Sequence, residues 1–182
     1  MQYIIRQVEP KYNRAIEVVI RSCLVEFGAN HEGTAWADPY LGRFSEVYAH
    51  ANCAYWVAID ETGEVVGGVG VGPLEGVPEV CELQKMYCLP KARGTGIAQR
   101  LLSNALDFAA NHYERIYLET LDNMIAAQRF YEKHGFERIH EPLGNTGHHS
   151  CDVLYIRELK TESPNQPVSN NSRTARSAVP SR

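Results

Sequence analysis

The ten residues from Leu89 to Ala98, Leu-Pro-Lys-Ala-Arg-Gly-Thr-Gly-Ile-Ala, constrain this chain more than any other segment. They join an apolar run, Glu79 to Cys88, to an amphipathic run, Ile97 to Asn111. A strand, a basic glycine-bearing turn and a helix start, in that order, form a device for holding phosphates. Gly94 and Gly96 let the backbone approach a ligand with no Cβ in the way. The first N–H groups of a helix lack intrahelical partners, and the helix dipole favours negative charge beside them. Lys91 and Arg93 add positive charge.

The spacing narrows the kind of phosphate turn. A dinucleotide fingerprint needs a third glycine where this chain has Gln99, and no P-loop pattern occurs. The pattern present is R-x-x-G-x-A, from Arg93 through Gly96 to Ala98. It resembles the acetyl-CoA pyrophosphate loop of the GNAT-type N-acetyltransferases. Two neighbours extend the likeness. Glu82-Leu83-Gln84-Lys85-Met86-Tyr87-Cys88 is similar to that family's central strand, and Ala127-Gln128-Arg129-Phe130-Tyr131-Glu132-Lys133-His134-Gly135-Phe136 to its later helix. The resemblance spans residues 1–159, read as one N-acetyltransferase domain, with 160–182 as a tail.

The element pattern is consistent with an α/β fold. Strands are predicted at Gln2 to Val8, Tyr55 to Ile59, Glu64 to Val71, Val80 to Cys88, Arg115 to Thr120, Phe136 to His140 and Cys151 to Leu159. The first helix starts at Pro10 and carries Ile16, Val19, Ile20, Cys23 and Leu24 at helical spacing. Asp38-Pro39 reads as a helix cap leading a short helix toward Tyr48. A third helix follows the turn, with Ile97, Leu101, Leu102, Ala105, Phe108 and Ala109 on one side. A fourth runs from Asn123 to His134, and Gly135 is placed to end it. Glycines at 67, 68, 70 and 72 are not followed by a helix, so they mark a strand against which something packs closely. Hairpins mixed with βα units give a mixed sheet. The resemblance implies the GNAT (acyl-CoA N-acyltransferase) fold: a mixed, mostly antiparallel central sheet flanked by helices, with the cofactor arm in a wedge beside the central strand.

From Thr161 onward the chain is Ser, Asn, Pro and Arg with almost nothing apolar, and it reads as disordered. Of 18 Lys and Arg against 22 Asp and Glu, four bases and one acid fall after residue 159, leaving 14 bases against 21 acids before it. An acidic domain argues against nucleic acid as a partner and suits a cationic amine. No uncharged apolar run approaches a membrane span, and no secretory leader is visible, so a cytoplasmic protein is expected. Five cysteines without a C-x-x-C pair read as reduced thiols, with Cys81 and Cys88 as packed residues of one strand.

Acyl transfer to an amine requires a held cofactor, a neutral amine, a polarised carbonyl and a stabilised leaving thiolate. The amides of Gly94, Thr95, Gly96, Ile97 and Ala98, with Arg93 as charge support, are the candidates for holding the cofactor. The resemblance implies that the backbone of Met86, Tyr87 and Cys88 pairs with the pantetheine amides, and an amide there would polarise the carbonyl. Tyr131 is the candidate general acid. Met124, Ala127, Tyr131 and His134 share a helix face, and a phenol of pKa near about 10 is protonated at neutral pH. Periodicity alone favours a core tyrosine with a satisfied hydroxyl; the Tyr-Glu-Lys-His-Gly-Phe context reverses that and favours the catalytic role. Many family members place Asn where this chain has Met124, with Asn123 adjacent. Glu82 is the first choice for general base and Glu119 the second; a carboxylate at 82 is equally placed to face solvent or pair with Lys85, and selection of the neutral amine from solution is the alternative to any base.

His148, His149 and Cys151 offer zinc-ligand types, but a fourth ligand and the usual spacing are missing. Ser150 and Asp152 beside them do not make a triad, which is defined by geometry and not by adjacency. Gly147-His148-His149 reads as a loop over the acceptor pocket or as a solvated turn. The acceptor site is expected between Glu26 and Tyr48, with Glu26, Asn30, His31, Trp36, Asp38 and Tyr40 as candidates. The resulting expectation is an N-acetyltransferase moving an acetyl group from acetyl-CoA, without metal, to a primary amine of a small molecule or amino acid. The alternative is an acyl-CoA sensor without catalysis. The family analogy adds a possible homodimer.

Overall fold

The computed structural model describes residues 2–146 and 152–159. Their strands form one sheet: β1 Tyr3–Gln7, β2 Ala54–Asp60, β3 Val65–Pro73, β4 Val80–Cys88, β5 Arg115–Thr120, β6 Glu137–Ile139 and β7 Val153–Glu158. The spatial order is β1-β2-β3-β4-β5-β7-β6. Neighbours are antiparallel except β4 and β5, which run parallel. A parallel pair needs a crossover, and helix α3, Ile97–Ala110, lies between these two strands in the chain. The other helices are α1 Asn13–Glu26, α2 Phe44–Val47 and α4 Ile125–Lys133.

The helical spacing read from the sequence becomes two cores. Ile16, Val19, Ile20 and Leu24 of α1 pack with Phe44, Tyr48, Tyr55 and Val57 on one face of the sheet. Ile97, Leu101, Leu102 and Ala105 of α3 pack with Ala58, Val69 and Leu118 on the other, joined by Tyr131 of α4. Alternation along β2 makes this possible, since Tyr55 and Val57 face one layer and Ala58 the other. Each fully buried Leu or Ile contributes about 1.5–3 kcal/mol.

Two helix starts differ from the expectation. Asp38 does not cap a helix: its Oδ1 accepts the Tyr40 N–H at 2.8 Å, a local turn, and α2 begins only at Phe44. An Asp side chain bonding its own backbone two residues on competes with helix formation. The last helix begins at Ile125, two residues after Asn123. The Asn123 side chain instead donates to the Phe27 carbonyl at 3.0 Å, tying this segment to the end of α1.

The glycine-rich strand β3 accepts two tyrosines. A Cβ at Gly70 would lie 2.7 Å from the Tyr55 ring and 2.8 Å from the Tyr48 hydroxyl. A Cβ at Gly72 would lie 2.9 Å from Gln84 Oε1. Any larger residue would push these side chains out of the layer between α2 and the sheet.

Strand β4 carries the feature that positions the site. Lys85 has φ +49°, the left-handed region, which costs a non-glycine residue about 1–2 kcal/mol. The register to β3 shifts here, from Gly70 opposite Gln84 to Gly68 opposite Tyr87. This is a β-bulge, and it inverts the alternation: Leu83 and Met86 both reach the α3 side. The Tyr55 hydroxyl donates to the Lys85 carbonyl at 2.9 Å and supports the bend. On its other side β4 pairs with β5 only from Val80 to Glu82. Beyond Glu82 the two strands part and leave a wedge.

Candidate active site

Three adjoining spaces with shared lining residues run along that wedge. The largest, about 410 Å³, is lined by Met86, Tyr87 and Cys88 of β4, by Arg93, Gly94 and Ala98, and by Met124, Ala127 and Tyr131. A space of about 70 Å³ between the strands shares Met86, Tyr87, Met124, Ala127 and Tyr131 with it. A third, about 50 Å³, shares Leu83, Lys85, Tyr87 and Glu119 with the second and adds Glu82 and Gln84. Thus β4 supplies lining to all three.

The turn before α3 has the geometry an anion needs. Gly94 and Gly96 have φ +71° and +85°, and no atom lies within 4 Å of a Cβ built on either. Gly96 is the N-cap of α3, and no side chain caps the helix. Arg100 N–H to the Gly96 carbonyl, 3.2 Å, is a first-turn bond. The amides of Gly96, Ile97 and Ala98 therefore lie outside the helical ladder. The Thr95 side chain is tied back to the turn, its hydroxyl donating to the Ala92 carbonyl at 2.7 Å. The Ile97 side chain belongs to the core, so only its backbone faces the turn. An uncapped helix start beside an unpaired strand edge fits a phosphate-bearing, amide-bearing cofactor such as acetyl-CoA.

The two bases expected to add charge at the turn are engaged elsewhere. The Arg93 guanidinium meets both Glu26 carboxylate oxygens, at 2.6 and 2.7 Å, and its Nε donates to the Cys88 carbonyl at 3.0 Å. Lys91 is held by Asp60 at 3.1 Å and Glu64 at 2.6 Å. In an acidic domain carboxylates lie within reach of both. Arg93 thus braces the end of α1 against the end of β4 while still lining the largest of the three spaces.

Tyr131, the candidate acid, lies on the inner face of α4 and is 8% exposed. Its ring packs against Phe130 and Phe136, each with centroids 5.6 Å away. Tyr131 lines the two larger spaces of the wedge, with Met86 and Ala127. Burial, reinforced by the Cys88 thiol, pushes its pKa up, so it stays protonated. His134, on the same predicted face, ends the helix and bonds the Phe130 carbonyl at 2.7 Å. Cys81 and Cys88, expected as packed thiols, are free and are both pushed up to about 12 by burial.

Glu82, the first candidate base, is 7% exposed at the last paired position of β4. Burial pushes its pKa up to about 7, with a hydrogen bond from Gln84 and the charge of Lys85 opposing and Glu119 adding to the rise. Gln84 Nε2 donates to Glu82 Oε2 at 2.7 Å, and Tyr48 donates to Gln84 Oε1 at 2.8 Å. Glu119, the second candidate, is held by the hydroxyls of Tyr117 at 2.7 Å and Thr146 at 2.9 Å. Lys85 does not bond Glu82; its ammonium pairs with Asp38 at 2.9 Å, where both side chains are largely buried.

The acceptor candidates between Glu26 and Tyr48 are dispersed. Asp38 reaches the chamber through Lys85. Glu26 sits on the other side with Arg93. Trp36 packs under the Arg21 guanidinium at 4.8 Å. Asn30, His31 and Tyr40 are exposed. The residues that sequence reasoning passed over are Tyr48, Gln84 and the bulged Lys85. A partial signal existed in the two-residue spacing of Gly70 and Gly72, which marks one face of a strand stripped for large neighbours. Gly147 to Cys151 and the tail from Lys160 lie outside the described residues. No helix among the described residues is long and apolar enough to cross a membrane.

Comparison with known proteins agrees with this architecture. Residues 21–136 match the model of the acetyltransferase (GNAT) family. YjgM of Escherichia coli K12, an uncharacterized N-acetyltransferase, is 43% identical over 159 residues, covering 86% of this chain and 95% of its own. The crystal structure of a GNAT-family acetyltransferase from Staphylococcus aureus superposes with a TM-score of 0.78 at 25% identity, covering 87% of this chain and 100% of that one. A phosphinothricin acetyltransferase from Sinorhizobium meliloti, solved in complex with AcCoA, superposes at 0.68 with 21% identity, covering 94% and 98%. With the parted β4–β5 pair, the uncapped glycine turn and these matches together, the chain belongs to the GNAT family of N-acetyltransferases.

Proposed function

We propose that this protein moves an acetyl group from acetyl-CoA to a primary amine of a small molecule or amino acid, by direct attack of the amine. The observation that carries the reading is the series of three spaces through the wedge. It runs from a phosphate-competent turn, past Tyr131, to a small chamber walled by Glu82 and Glu119. The AcCoA bound in the Sinorhizobium meliloti neighbour supports the choice of donor. The small chamber supports a compact acceptor. The free thiols of the four described cysteines are compatible with a reducing cytoplasm, where we place the protein.

Acetyl-CoA supplies the acyl carbon and a thiolate leaving group. The amides from Gly94 to Ala98 bind its pyrophosphate, and the open edge of β4 from Met86 to Cys88 binds its pantetheine arm. Glu82 and Glu119 draw the cationic amine inward. Glu82, titrating near about 7, takes the ammonium proton directly or through water. The freed nitrogen then forms the C–N bond as the C–S bond breaks, and its second proton passes to the departing sulfur, so that the products are the amide and the free thiol. Tyr131 donates a hydrogen bond to the departing sulfur; its raised pKa means that it supports the thiolate rather than ionising itself. A sensor without catalysis gives no role to the buried Glu82 or to Glu119 beside it, and it is not favoured.

The test is acetyl-CoA binding by calorimetry with thiol release across pooled amines. Binding with thiol release from at least one pool is expected. Binding without release from any pool would favour the sensor, and no binding would overturn the donor assignment.

A further inference from the structure

The glycine-rich stretch of β3, singled out in the sequence, has no part in the mechanism above. Its position explains a hydrogen-bond chain that the chemistry needs. Glu82 and Gln84 are two apart on β4 and lie on the same face, toward α2 and away from α3. Opposite them, Gly72 pairs in register with Glu82 and Gly70 with Gln84. The missing Cβ atoms admit the Gln84 amide at Gly72 and the Tyr48 hydroxyl at Gly70. The Tyr48 hydroxyl donates to Gln84 Oε1 at 2.8 Å, and Gln84 Nε2 donates to Glu82 Oε2 at 2.7 Å.

We infer that Gln84 is the positioning residue of the chamber: Tyr48 fixes the orientation of its amide, and the amide aims and stabilises the ionised Glu82 carboxylate. The inference rests on the reading of Glu82 as base. An amide has one donor end and one acceptor end. Reversed, it would turn Oε1 toward the carboxylate and lose the bond to the anion. Burial holds the Tyr48 proton on its oxygen, which keeps that hydroxyl a donor and the amide in one orientation.

No other group replaces this contact. From β4, Lys85 contributes charge but is bonded to Asp38, which lies in the segment before α2. From β5, Glu119 opposes the ionised form, and the Tyr117 hydroxyl is directed to Glu119. Among the described residues Gln84 is the one hydrogen-bond donor to Glu82. A buried carboxylate with a single protein donor depends heavily on that donor, because losing it leaves the charge without a protein partner.

The experiment follows the Glu82 carboxyl carbon by NMR across pH in the full chain labelled with ¹³C-glutamate, with Glu82→Gln used to assign the resonance. In Gln84→Leu its midpoint should rise by about one pH unit, because a hydrogen bond to a charged group is lost. Tyr48→Phe leaves Gln84 in place but frees its orientation, and the midpoint should rise by a smaller amount. Thiol release from acetyl-CoA with the amine pools should lose about tenfold in Gln84→Leu at pH 6.5 and recover toward wild type at pH 9. A midpoint unchanged in both variants, each folded by circular dichroism, would overturn the Gln84 assignment alone. Full thiol release in Glu82→Gln would overturn the base assignment, and with it the catalytic meaning of Gln84.

Discussion

The turn from Arg93 to Ala98, the proposed pyrophosphate site, is built from six consecutive residues and offers mainly their backbone groups. The chamber around Glu82 draws side chains from β4, from Glu119 on β5, from Tyr48 after α2 and from Asp38 before it. The first is set by local geometry: two left-handed glycines and an uncapped helix start. The second exists only when four segments meet, and its electrostatics come from burial. A backbone site should therefore tolerate side-chain changes and respond to backbone strain. A side-chain site should respond sharply to single atoms and to pH.

The largest break in this contrast is expected at the chamber. Glu82→Gln keeps the shape but removes the base, and turnover should fall about 100-fold or more. The rise of rate with pH near about 7 should vanish with it. The same substitution sharpens the argument through stability. The folded chain holds the Glu82 proton up to about 7, whereas the unfolded chain releases it near the ordinary value of 4.5. Between these values the native state binds more protons, so wild-type stability falls as pH rises through the window, by about 3 kcal/mol, and then levels off. Glu82→Gln lacks that loss. Its melting temperature should exceed wild type at pH 8 and converge with it near pH 4.5.

Tyr131→Phe should have the next largest effect, lowering kcat by about 10- to 100-fold while calorimetry gives an acetyl-CoA affinity within about twofold of wild type. Equal losses in turnover and affinity would move Tyr131 from support of the leaving sulfur to donor binding. The smallest effect belongs to the turn. Gly96→Ala adds a Cβ that meets nothing, so only the φ of +85° resists it, at about 1–2 kcal/mol. Acetyl-CoA affinity should weaken on the order of tenfold, with kcat at saturating donor nearly unchanged. A large fall in kcat would show that the turn does more than hold phosphates.

How far each region could be read from the sequence follows the same division. The helical stripe Ile16, Val19, Ile20, Cys23 and Leu24 is buried as spaced, and so is the stripe Ile97, Leu101, Leu102, Ala105 and Ala109, whereas Phe108, expected on that side, is only half-buried against the same core. Periodicity is a local property, and burial of one face follows from it. The helix expected from Asp38 was misplaced because an aspartate cap and an aspartate turn begin with the same residue pair, and packing of Phe44 against Tyr48 and Tyr55 decides where the helix forms. Glu82 and Tyr131 were legible as candidates through their motif context. Gln84 was not, since nothing along the chain ties it to Tyr48 thirty-six positions away.

The sequence alone determined the alternating elements, the phosphate-competent turn and the family, because each depends on residues near one another in the chain. Only the tertiary structure decided that Arg93 and Lys91 turn to carboxylates, that Lys85 bulges out of β4, and that the strands part beyond Glu82. It also decided that Glu82 is buried beside one amide donor. Those outcomes depend on distances between remote segments and on the removal of water, and neither is written in the spacing of residues along a chain.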